Sequence, residues 1–167
     1  MTARPCLRWP HPVLRGPAEP VPAITDAIRA IWTDMIDTME AMPGYGLAAP
    51  QIGVALRLAV VDCSDTRGQA VRMANPEVLY ASGQMRSHPE ASPNLPGVSA
   101  VIERPRAVTV RFLNDQGEVE DRDFVNLWST SVQHQIDHLE GRMYFDRLKP
   151  LKRRMLIEKS EKLGRRP

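Results

Sequence analysis

Two histidines four residues apart, His134 and His138, are the side chains of this chain best placed to do chemistry. On a helix that spacing puts both imidazoles on one face, one above the other. Both can then reach one divalent cation, and the residue after the first histidine can point at a cation-bound water. In a hydrolase that residue is a glutamate, which carries the proton; here it is Gln135. The amide has a carboxylate's shape and can hold a water or a carbonyl, but it cannot accept and deliver a proton. Ordinary packed histidines also occur at this spacing, so the pair needs support from the rest of the chain.

The elements that must position the pair can be read around it. Leu127 to Leu139 is expected to be a helix, with Leu127, Trp128, Ser131, His134, Ile136 and His138 on inward-facing steps and Gly141 as its stop. An earlier helix follows from Ile24, Ala27, Ile28, Ile31, Met35, Ile36 and Met39, capped by Thr25 or Asp26 and stopped by Pro43-Gly44. Between them, Gly44 to Gln51 reads as a glycine-punctuated loop, Leu56 to Cys63 as a buried strand and Val71 to Ala74 as its partner. Val108, Val110 and Phe112 alternate with Thr109 and Arg111, a strand that turns at Asn114-Asp115-Gln116-Gly117 and returns over Glu118 to Val125. The Pro-rich opening, Pro5 to Pro22, reads as extended, with Val13 and Leu14 as anchors. A third helix is expected over Leu151 to Leu163. Strands with segregated helices imply an α+β fold, and 167 residues suit a single domain.

Composition narrows the setting. Apolar residues at 43% and charged residues at 25% are ordinary for a globular chain. No apolar run of about 18 residues exists, so a membrane span is not expected. The opening Met1-Thr2-Ala3-Arg4-Pro5 lacks the apolar core of a secretory signal. Two cysteines, Cys6 and Cys63, give neither a disulfide framework nor a metal knuckle, and a reducing cytoplasm is the expected location. The net charge of +2 conceals nine Lys or Arg against two Glu from Arg147 onward, leaving the first 146 residues at −5. Such a basic end is either a solvated helix or the docking surface for an anionic partner.

Support for the histidine pair comes from three ordered motifs. Gly44-Tyr45-Gly46-Leu47-Ala48-Ala49-Pro50-Gln51 matches GxGxAAxQ, and Gln133-His134-Gln135-Ile136-Asp137-His138-Leu139-Glu140-Gly141 matches QHExDHLxG in all but one residue. Glu90-Ala91-Ser92-Pro93-Asn94-Leu95-Pro96-Gly97 aligns without a gap on EGCLSxPG, agreeing at Glu90, Pro96 and Gly97. With Cys6 to Arg15, Asn75-Pro76-Glu77 and Tyr144 to Leu148 at familiar flanking places, the chain resembles the bacterial peptide deformylases over essentially its whole length. The resemblance implies a deformylase-like α+β fold of antiparallel or mixed sheets around a central helix bearing the histidines, with a C-terminal helix. It also implies a divalent Fe, Ni or Zn held by His134, His138 and the position of Ser92, and an oxyanion site made by Gln51 and the backbone at Pro93.

The departures fall on those positions. Where the motif has a cysteine ligand, a strong soft thiolate, this chain has Ser92, whose hydroxyl stays protonated and binds a divalent ion poorly unless it is forced to an alkoxide. Pro93 has no N–H to offer an oxyanion, and losing one such donor costs about 10²–10³ in turnover. Gln135 removes the general acid–base group, which contributes about 10²–10⁴. Cys63 or Cys6 as a substitute ligand is less consistent with the pattern than Cys63 as a small buried apolar residue. The expected outcome is a metal bound weakly or not at all and little deformylation of N-formylmethionyl peptides. A metallohydrolase with an altered centre is the alternative. Gly44, Tyr45 and Gly46 match the segment that pairs an extended peptide strand to strand, so binding of an N-terminal peptide or small molecule is expected to survive. The end from 148 to 167 resembles the extension that docks bacterial deformylases on the ribosome, by a salt-sensitive phosphate contact without base stacking. Neither DNA nor a membrane is an expected partner.

Overall fold

In the computed structural model, which describes residues 2–165, apolar alternation and helical periodicity sort the chain into two antiparallel sheets and a helix lodged between them. The main sheet has the order β1 (Gly46–Ala48), β2 (Leu58–Val61), β3 (Val71–Ala81), β6 (Ala107–Leu113) and β7 (Val119–Val125). A separate hairpin pairs β4 (Met85–Ser92) with β5 (Leu95–Pro105). The helix α3 (Leu127–Leu139) packs against β1, β2, β7 and β5, so it touches both sheets. This is the α+β arrangement around a central helix that the sequence implies.

Local rules account for most boundaries. Helix α2 (Asp26–Ala41) starts where the Ile28 N–H donates to Thr25 Oγ1 at 3.3 Å and ends where the Gly44 N–H donates to the Met39 carbonyl at 2.8 Å. Its inner face buries Trp32, Met35 and Met39 completely, each contributing roughly 1.5–3 kcal/mol. The anticipated β6–β7 hairpin forms, with Val110 opposite Arg122 and Leu113 opposite Val119.

Other segments differ from expectation. Residues 44–51 are not wholly loop: Gly46–Ala48 joins the main sheet as β1, and Ala49–Ile52 forms a 3₁₀ turn. The regular part of the strand anticipated from Leu56 is Leu58–Val61, so Cys63 lies beyond its end and is half-buried, not deep in an apolar strand. The Pro-rich opening contains a short helix, α1 (Pro12–Arg15), which Leu14 anchors with no exposure. The β4–β5 hairpin was not anticipated, because His88, Pro89 and Pro93 interrupt the alternation.

The chain's ends are tied to the site-bearing elements. The Ala18 N–H donates to the Leu139 carbonyl at 2.9 Å, and Gly141, at φ +81, lets the opening segment cross the end of α3. A Cβ there would stand 2.8 Å from the Arg15 carbonyl oxygen. Helix α4 (Pro150–Gly164) lies on β5, burying Ile157 and Ser160, and Ser160 Oγ donates to the Pro96 carbonyl at 2.6 Å. Its lysines and Arg154 stay exposed.

Candidate functional site

The three motifs converge on one cleft of about 540 Å³ between β1, the β4–β5 hairpin and α3. Gly44, Tyr45 and Gly46 form one wall, and Ser92 and Pro93 at the β4–β5 turn form the opposite one. Gln51, His134 and Gln135 lie at the base, while His138 is fully buried behind them. Every residue singled out for the centre is therefore in it or directly beneath it.

The helix presents its polar residues inward because tertiary partners replace water. Ser129 Oγ donates to the Pro105 carbonyl at 3.0 Å and Ser131 Oγ to the Tyr45 carbonyl at 3.0 Å, pinning α3 to both sheets. Gly46 is required by this approach: a Cβ on it would lie 2.6 Å from Gln135 Nε2 and 2.7 Å from Ser131 Oγ. Gln135 is 4% exposed, and its Oε1 has no hydrogen-bond partner among the described residues.

An ion network underlies the histidines. Arg104, 1% exposed, donates to both Glu90 oxygens at 2.7 and 2.8 Å and to Asp137 Oδ2 at 2.9 Å. Arg147 grips Asp137 from the other side, at 2.8 Å to each oxygen. Burial pushes the Glu90 and Asp137 carboxyls up, but their arginine partners, and His134 beside Glu90, outweigh it and leave both below the ordinary range. The sequence reading missed Arg104. It carried a signal: Arg104 continues the inward period-two face of Val98, Ala100 and Ile102, where a charge must find a buried partner.

The network places a hydrogen on His134. Glu90 Oε1 stands 2.7 Å from His134 Nδ1, and a carboxylate only accepts, so that nitrogen carries hydrogen. His134 Nε2 and His138 Nε2 face each other at 3.2 Å. Burial keeps His138 uncharged by pulling its pKa well below the ordinary value. Its Nδ1 is buried and has no hydrogen-bond partner among the described residues. The Tyr144 ring stacks on His134 at 5.8 Å and holds its plane.

Ser92 is bound up elsewhere. Its hydroxyl donates to Asn94 Oδ1 at 2.9 Å, and it accepts from Asn94 N at 3.3 Å and from Gln51 Nε2 at 3.4 Å. Pro93 stands at the turn with no N–H.

A model of the family described as polypeptide deformylase matches residues 3–154. The chain belongs to that family. It is 40% identical over 164 residues to a peptide deformylase of Phenylobacterium zucineum, covering 97% of each chain. It is 39% identical over 165 residues to a peptide deformylase-like protein of Bradyrhizobium diazoefficiens, covering 99% of this chain and 96% of that one. The solved peptide deformylase of Legionella pneumophila superposes with a TM-score of 0.92 at 35% identity, covering 99% of this chain and 100% of that one.

Deformylases of this family depend on a metal, and the donors here fit one poorly. Two imidazole nitrogens, His134 Nε2 and His138 Nε2, converge at 3.2 Å and suit one ion. The third position is a hydroxyl whose hydrogen is given to Asn94 and whose oxygen already accepts two contacts. Among the described residues no group of three His, Cys, Asp or Glu converges to hold a metal.

Proposed function

We propose that this chain is a deformylase-fold binding protein of the cytoplasm, holding an N-terminal peptide or a small molecule in the old cleft, with little or no deformylation of N-formylmethionyl peptides. The observation that carries the reading is Ser92 at the third ligand position, its hydroxyl engaged by Asn94 and Gln51. Charge balance supports it. A dication lost alone would leave a buried thiolate and a buried carboxylate uncompensated. Here serine and glutamine stand at those two places and carry no charge. Pro93 removes one oxyanion donor from the same centre. The wall of Gly44, Tyr45 and Gly46 keeps the open shape a strand-like ligand needs, since peptide pairing uses backbone groups.

The deciding measurement is turnover of a formyl-Met peptide with Fe, Ni or Zn supplied, and metal content determined on the same sample. Turnover within about tenfold of an ordinary deformylase, or a stoichiometric, tightly held metal, would overturn the proposal.

A second reading, a metal-dependent amide hydrolase with an altered centre, is favoured by one observation. The Glu90–His134 contact at 2.7 Å is the kind of outer contact that orients a metal-binding histidine. Metal content separates the two.

The basic end supports a place near the ribosome. Lys149, Lys152, Arg154, Lys159 and Lys162 are exposed along or beside α4, a fitting surface for phosphates. Because α4 packs on β5, charge reversal at Lys152, Arg154, Lys159 and Lys162 tests docking better than truncation does. Ribosome co-sedimentation unchanged by that reversal would remove the docking idea.

A further inference from the structure

The hydrogen bonds around Ser92 have one residue in common. Asn94, fully buried, lies in the β4–β5 turn where EGCLSxPG has a serine. Its amide orientation is determined by partners that cannot be exchanged. Nδ2 donates to the Leu7 carbonyl at 2.6 Å and the Gln51 carbonyl at 3.3 Å, and carbonyls only accept. Oδ1 therefore faces Gln51 and Ser92. Gln51 is oriented by the same logic: the Ala48 N–H donates to Gln51 Oε1 at 2.9 Å, so Nε2 must face Asn94. The Gln51 amide nitrogen then lies 2.8 Å from Asn94 Oδ1 and 3.4 Å from Ser92 Oγ, both acceptors on the same side of it. The Asn94 carbonyl in turn accepts the Trp9 N–H at 2.9 Å, tying the cluster to the N-terminal segment.

We propose that Asn94 is a positioning residue that locks this centre in its metal-free form, because its side chain holds both the oxyanion donor Gln51 and the third ligand position, residue 92. A serine at 94 is too short to span to the Leu7 carbonyl and Gln51 together, and would release the Gln51 amide toward the cleft. The three departures at residues 92, 93 and 135 are therefore incomplete as an account of the centre. Restoring a thiol at residue 92 while Asn94 remains leaves Asn94 Oδ1 pointing at the sulfur and still holding the Gln51 amide.

This inference rests on the metal-poor reading above, and its test separates the two. Co(II) alone is titrated into the full-length protein and into the variants Ser92→Cys and Ser92→Cys/Asn94→Ser, following cobalt ligand-field absorbance in all three and thiolate-to-cobalt absorbance in the two thiol variants. Outer contacts of this kind are worth about 10–100-fold in metal affinity, so the double variant should bind Co(II) at least about tenfold more tightly than the single one. Equal affinities would overturn the lock. Tight stoichiometric Co(II) binding by the unaltered protein would overturn the metal-poor reading instead, whatever the variants do. A second measurement needs no Asn94 variant. The Gln51 side-chain amide, assigned by its loss in Gln51→Met, should exchange with water about tenfold or more slowly than that of exposed Gln116. Exchange of the two at the same rate would show that Gln51 is free and that the lock does not exist.

Discussion

Arg104→Met removes the cation at the centre of the buried network while keeping much of its volume. The arginine makes three charge-assisted hydrogen bonds of 2.7, 2.8 and 2.9 Å at 1% exposure. After the change Glu90 keeps only His134, whereas Asp137 keeps both contacts to Arg147. Stranding one member of a buried pair costs about 3–5 kcal/mol, a large share of a total stability of roughly 5–15 kcal/mol. With a urea slope of about 2 kcal/mol/M, the unfolding midpoint should fall by about 2 M. Arg147→Met is the internal control. That side chain is 42% exposed and its partner retains Arg104, so its loss should cost about 1 kcal/mol or less. Equilibrium urea unfolding followed by circular dichroism reads both. A cost below about 1 kcal/mol for Arg104→Met, or equal costs for the two variants, would refute the reasoning that burial and the uncompensated Glu90 set the magnitude.

Three further outcomes are expected. Gln135→Glu alone should raise formyl-Met peptide turnover by less than about tenfold, because the ligand and oxyanion positions are unchanged; full recovery from that one change, measured with metal supplied, would show that the second motif is intact. Gly46→Ala forces the Gln135 amide and the Ser131 hydroxyl to move, and should cost about 1–3 kcal/mol of stability by thermal or urea unfolding; a neutral effect would mean that the cleft wall gives freely. Burial pushes the Cys63 thiol up to about 12, so the thiolate is scarce and its fraction grows with pH. Alkylation at pH 8.5 should be about a thousandfold slower than for a free thiol and still rising above pH 10; a plateau near pH 9 would contradict the burial.

Helix α3 and the hairpin of β6 and β7 were legible from sequence because period and turn chemistry agree with what the tertiary structure rewards. The β4–β5 hairpin was not, since prolines at 89, 93, 96 and 105 blur its alternation and its inward face carries Glu90, Ser92 and Arg104. Such a face is stable only when its charges meet partners distant in sequence, which local pattern cannot reveal. Arg104 is 33 residues from Asp137.

Residue identity alone determines what the histidine pair can be asked to do. A proline has no N–H, an amide no proton to trade and a hydroxyl little affinity for a dication, wherever the chain places them. Where the His134 ring holds its hydrogen, and where the Ser92 hydroxyl and the Gln51 amide are spent, depends on Glu90 meeting His134 across 44 residues and Asn94 meeting Leu7 across 87. Hydrogen-bond direction is a property of such pairs, and only folding creates the pairs.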